Sequence, residues 1–118
     1  MHNYITDVIS RPQKQILEFS FACVWINIIM RYALLEILSQ DLRFLAIKTR
    51  NNFDLTQKEM SKRLYMSESS YSDIETGRST CGTLTTILLL NMQDDPKAFL
   101  QNVTGKFADW YEKEMQQV

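Results

Sequence analysis

Leu55-Thr56-Gln57-Lys58-Glu59-Met60-Ser61, followed shortly by Ser67-Glu68-Ser69-Ser70-Tyr71-Ser72-Asp73-Ile74-Glu75-Thr76-Gly77, is the stretch on which the fold turns. Thr56 suits a helix N-cap, because its hydroxyl can accept from a main-chain N–H of the first turn. Glu59, three residues on, completes a capping box. Met60 and Leu64 stand four apart, which puts two apolar side chains on one face. Tyr65-Met66 marks a turn. Ser67 then caps a second helix with Tyr71 and Ile74 as its inward pair, and Gly77 suits the left-handed residue that closes it. The residues predict two short helices joined by a tight connection.

That layout is a helix-turn-helix, which sets its second helix into the major groove of DNA. Glu68, Ser69, Ser72 and Asp73 are adjacent or three to four apart, so they share a face opposite Tyr71 and Ile74. Serine hydroxyls donate or accept at base edges, and a carboxylate accepts from cytosine N4. The second helix carries Glu68, Asp73 and Glu75 but no Lys or Arg. Glu68 is favoured at the positive end of the helix dipole. Positive charge toward phosphates must come from Lys48, Lys58, Lys62, Arg63 and Arg78. For Lys62 and Arg63 a solvated face and phosphate contact both stay open.

Upstream, Tyr32 to about Asn51 reads as a helix. Leu34, Leu35, Ile37, Leu38, Leu42 and Leu45 fall on or near one face, with Glu36, Gln40, Asp41, Arg43 and Lys48 largely elsewhere. Before it, Ser10-Arg11-Pro12-Gln13 has the form of a helix start. The run Phe19 to Met30 is broken only by Ser20 and Asn27, and its pattern leaves helix and strand both open. Glu18 and Arg31 bound this run at 12 residues, whereas a membrane span needs about 20. The reading is a buried helix facing its own core and a partner subunit, without membrane insertion. A native start at Met30, leaving the preceding segment outside the domain, stays open. Downstream, Thr83 to Leu90 is apolar enough for a central helix. Asp95 and Pro96 mark the start of a last helix to about Met115, with Phe99, Leu100, Val103, Phe107 and Trp110 or Tyr111 as its stripe.

With 118 residues, 45% apolar, three glycines and two prolines, the chain suits one all-helical domain with an added arm. Its net charge of −1 is low for a nucleic-acid binder, but the charge is unevenly placed. Residues 43–90 hold seven Lys/Arg against five Asp/Glu, and both flanks are mildly acidic. Such a balance implies modest monomer affinity and a need for dimerisation. Cys23 and Cys81 have no metal-site spacing and read as reduced thiols of a cytoplasmic protein. One histidine, His2, and the lack of a glycine-rich phosphate loop leave no catalytic constellation. The expectation is a non-enzyme with no cofactor, no metal and no small-molecule substrate.

Arg50, Leu55-Thr56-Gln57, Ser67 and Ile74-Glu75-x-Gly77-Arg78 resemble the bacterial Cro/repressor-type, or XRE, helix-turn-helix family over roughly residues 43–100. The resemblance implies an all-α, five-helix repressor-like domain, which the helix boundaries read above extend over 32–118; residues 1–31 read, from their apolar run, as an additional helical segment suited to dimerisation. It implies that Gln57 binds a DNA phosphate and that Lys58 lies nearby. Glu68, Ser69, Ser72 and Asp73 would meet base edges, with Ser67 and Ser70 beside the DNA backbone and Arg78 near phosphate. Arg50 and Glu75 would form a structural ion pair. The implied function is a sequence-specific transcriptional regulator, a homodimer on a palindromic double-stranded operator. A protein-interaction module on the same scaffold, antitoxin-like or linked to phage defence, is the alternative.

Overall fold

The computed structural model describes the backbone of residues 11–116, with side chains from Cys23 onward. Among the described residues there are five helices and no strand. They are α1 (Arg11–Asn52), α2 (Gln57–Arg63), α3 (Glu68–Thr76), α4 (Thr83–Asn91) and α5 (Pro96–Gln116). The all-α expectation holds, and the apolar run that left helix and strand open is helical. It is not a separate element from the helix expected at Tyr32. Both lie in one 42-residue helix. From Gln13 to Asn52 there is no glycine or proline to break it, and Arg31 is a good helix former. The helix start expected at Ser10 lies outside the described residues.

The chain divides into two compact units, Met1–Ala33 and Leu34–Val118. In the first, the described side chains are apolar except Asn27 and Arg31, and largely open. Val24, Trp25, Ile28, Ile29 and Tyr32 are 47–76% exposed. Cys23–Asn52 is also long and apolar enough, by length and composition, to cross a membrane.

The second unit is built around Leu42, Ala46, Met60, Leu64, Tyr71 and Leu89. Leu38, Leu42, Leu45 and Ala46 recur at helical spacing, so this part of α1 lays one stripe onto α2, α3 and α4. Tyr71 is fully buried, and its hydroxyl donates to the Ala46 carbonyl at 3.4 Å. Burial and the neighbouring Glu75 carboxylate push its phenol well above the ordinary range. The buried Thr49 hydroxyl accepts from Gln93 Nε2 at 2.8 Å. Asp95 caps α5, accepting from the Ala98 N–H at 3.2 Å, with Pro96 at the first helical position. Lys106 of α5 reaches Asp41 of α1 at 2.7 Å.

Three apolar assignments need correction. In α4 only Leu89 is buried, and Leu84 and Ile87 are 64% and 59% exposed. The helix is amphipathic in place although its sequence is apolar on every side, because α1–α3 cover one face only. Leu35 and Leu100 are exposed for the same geometric reason. In α5 Val103 is buried and Phe107 half-buried, and Trp110 rather than Tyr111 is the more covered of the final aromatic pair.

Candidate nucleic-acid interface

Capping sets where α2 and α3 begin. The Thr56 hydroxyl accepts from the Glu59 N–H at 3.1 Å, and the Glu59 carboxylate accepts from the Thr56 N–H at 3.2 Å. Hydrogen bonds from the Thr56 N–H and, at 3.0 Å, from the Thr56 hydroxyl to Glu59 Oε1 hold the Glu59 carboxyl below the usual range. Ser67 accepts from the Ser70 N–H at 3.2 Å. The Ser67 hydroxyl also donates to Ser70 Oγ at 2.8 Å and lies 3.3 Å from Ser69 Oγ. Three serine hydroxyls therefore cluster at the first turn of α3. Between the helices the chain reverses over Leu64 to Ser67, with the Met66 N–H donating to the Ser61 carbonyl at 3.0 Å. Tyr65 takes a left-handed backbone, φ +55°, there. Gly77 closes α3 at φ +82°, a conformation that costs glycine little.

Tyr71 and Ile74 are buried and fix the rotation of α3. Glu68, Ser69 and Ser70 are consequently exposed, and Ser72 and Asp73 are half-buried. Lys58 and Arg78 are exposed as well.

Arg50 and Glu75 meet directly. Arg50 Nε donates to Glu75 Oε2 at 2.6 Å and Nη2 to Oε1 at 3.1 Å, a bidentate pairing. Arg50 Nη1 also reaches the Leu55 carbonyl at 3.2 Å, which ties the α1–α2 connection to the same point. Gln57 Nε2 donates to Glu75 Oε1 at 3.2 Å. Glu75 is only 8% exposed. Burial alone would push its carboxyl up, but the hydrogen bonds from Arg50 and Gln57 and the charge of Arg50 outweigh it and hold it below the ordinary carboxylate range. The pairing with Glu75 raises the Arg50 guanidinium further still. One carboxylate of α3 thus gathers groups from α1 and α2.

The sequence reading missed Arg43, assigning it to the solvated side of α1. It is half-buried, and its Nε donates to the Glu75 carbonyl at 2.7 Å. The available signal was its spacing from Arg50, seven residues and so two turns along one helix face. Also missed was the stacking of Arg63 on Phe53, with the guanidinium carbon 5.7 Å from the ring centroid. Cys23 and Cys81 are free, and burial pushes the Cys81 thiol up, away from thiolate reactivity.

A family model described as helix-turn-helix matches residues 47–90, which span the end of α1 through α4. Neither the curated proteins nor the solved structures returned a match. Domains of this kind are non-catalytic DNA-binding modules, and among the described residues no group of His, Cys, Asp and Glu could hold a metal ion. Capped helices, tight turn, buried Tyr71–Ile74 pair and family match coincide on the same residues, and residues 47–90 are a helix-turn-helix DNA-binding domain of the Cro/repressor, or XRE, type.

Proposed function

We propose that the protein is a sequence-specific transcriptional regulator that binds a palindromic operator as a homodimer in the cytoplasm. The observation that carries this reading is the outward face of α3. Glu68 and Ser69, with Ser72 and Asp73 beside them, stand opposite the buried Tyr71–Ile74 pair. In this reading those four side chains meet base edges, with serine hydroxyls as adaptable donors and acceptors and Asp73 accepting from cytosine N4. Gln57, Lys58, Ser67, Ser70 and Arg78 lie along the DNA backbone and set register rather than sequence.

The need for two copies follows from charge. With no Lys or Arg on α3, phosphate attraction by one copy is small, and a second half-site multiplies it. A two-fold dimer sets its recognition helices about 34 Å apart, one turn of DNA. The open apolar side chains of residues 23–33 supply a surface for the second copy, and Trp110 and Tyr111 of α5 offer a further one. A bilayer suits Cys23–Asn52 poorly, because Leu38, Leu42, Leu45 and Ala46 in its second half are packed into the helix-turn-helix core, which leaves only the apolar run 19–30 for the span. Twelve residues of helix reach about 18 Å against about 30 Å of hydrocarbon, and Arg31 follows at once.

The acidic α3 also favours a second reading, a protein-interaction module on this scaffold. Selection of bound sequences from a random duplex pool, at low and moderate salt, separates the two. Enrichment of a two-fold-symmetric site is the expected result. Weak, salt-sensitive retention without enrichment would favour protein binding.

A further inference from the structure

Glu75 is held twice from α1. Arg50 takes its carboxylate, while Arg43, two turns earlier, takes its main chain through the 2.7 Å hydrogen bond from Nε to the carbonyl oxygen. That carbonyl belongs to the last turn of α3, whose acceptors have no partner within the helix. A guanidinium there also meets the negative end of the helix dipole. Arg43 is packed against the helix end as well. Its Cδ, Nε and Cζ lie 3.8–4.0 Å from the point where a Cβ on Gly77 would stand. On α1 its guanidinium carbon sits 5.5 Å from the centroid of the Phe44 ring. The side chain is therefore confined between Phe44 and the end of α3.

The two arginines restrain different things. Arg50 grips a flexible side chain, which could follow a small slide or rotation of α3 by changing rotamer. Arg43 grips the backbone, so the same movement would break its hydrogen bond. A helix of nine residues is too short to hold itself in water, and its pose is set by what it touches. We infer that Arg43 is a positioning residue for DNA readout: it fixes the axial place and rotation of α3, and with them where Glu68, Ser69, Ser72 and Asp73 meet the bases. This rests on the proposed readout by α3.

Three variants of full-length protein separate positioning from its rivals. Arg43→Met keeps the stem and removes donor and charge. Arg43→Gln places an amide N–H at the same number of bonds as Arg Nε, and so keeps the donor without the charge. Arg43→Ala gives the packing loss. Each is titrated by fluorescence anisotropy against the duplex enriched from the random pool and a scrambled duplex of equal length, over a range of salt. Arg43→Met is expected to lose roughly tenfold on the enriched duplex, the order of effect of losing one charge-assisted hydrogen bond. On the scrambled duplex its loss should stay within about twofold, since phosphate contacts carry no sequence information. Arg43→Gln should retain most of the discrimination, and the salt slope should stay as in wild type. Should Arg43→Met fail to fold, Arg43→Gln and Arg43→Ala decide together: Gln should retain most of the discrimination, Ala should lose roughly tenfold on the enriched duplex alone, and equal discrimination in the two would overturn the inference.

Equal losses on both duplexes in Arg43→Met and Arg43→Gln, with a salt slope shallower by about 0.9, would overturn the inference in favour of a direct phosphate contact. Unchanged discrimination in Arg43→Met with only a lower melting temperature would overturn it in favour of a purely structural role. Wild-type protein that treats the two duplexes alike would remove the proposed readout itself.

Discussion

Glu75 is the residue on which the interface depends. It is 8% exposed, and Arg50, Gln57 and Arg43 all reach it. Replacing Arg50 by Ala strands a buried carboxylate. Arg50 is itself 21% exposed, so the cost falls between that of a surface and a fully buried pair, about 1–3 kcal/mol, read as a lower melting temperature. The pH dependence has a definite sign. The folded carboxyl titrates below its ordinary value of 4.5, so its contribution is complete above that value and is lost as pH falls through the depressed one. Wild type should lose melting temperature on acidification through this window more steeply than Glu75→Gln. A parallel acid profile in the two proteins would contradict the assignment. Tyr65 is a residue of the opposite kind. It is 82% exposed and left-handed at φ +55°, so its side chain buries little while its backbone is strained. Tyr65→Gly should raise stability by up to about 1 kcal/mol in thermal melting.

At the scale of elements, local chemistry and tertiary geometry were legible to different degrees. The Thr56–Glu59 capping box, the Ser67 cap, the Gly77 stop and the Asp95–Pro96 start could be read directly, because each is an interaction within a few residues. The burial of Met60, Leu64, Tyr71 and Ile74 was equally legible from spacing. The pairing of Arg50 with Glu75 came only with the family resemblance, since nothing local connects residues 25 apart. Which side of α4 would be covered was not legible. Its TLTTILLL run is apolar all round, and only its neighbours choose Leu89 over Leu84 and Ile87. Arg43 was missed for a related reason. A charged residue at the edge of an apolar stripe reads as solvated until the helix that crosses it is known. The caps also give an element-scale prediction. Ser67→Ala removes the acceptor for the Ser70 N–H and should cost about 1 kcal/mol in denaturant unfolding, with the helix still formed.

For the whole molecule, the apolar exposure of residues 23–33 and the modest charge of the DNA-binding domain point the same way. Trp25 and Ile28 are 64% and 47% exposed, a display that soluble monomers rarely make over so short a segment. In the proposed dimer that surface joins the two copies, and DNA affinity would then depend on it through the second half-site. Ile28→Asp should shift the protein from dimer to monomer in sedimentation at micromolar concentration. It should weaken binding to a two-half-site duplex by about 10²-fold or more, the scale of lost multivalency, while binding to a single half-site is little changed. An unaltered sedimentation profile would place the dimer surface elsewhere, with α5 the next surface to test.

In the proposed function the outward face of α3 reads bases. Its most direct test is to repeat the duplex selection with Asp73→Ala and compare the enriched site with that of wild type. Base preference should relax at one position in each half-site, symmetrically about the dyad, with the remaining positions retained. An identical enriched site, bound more weakly or equally well, would show that Asp73 does not read sequence and would contradict the assignment of this face.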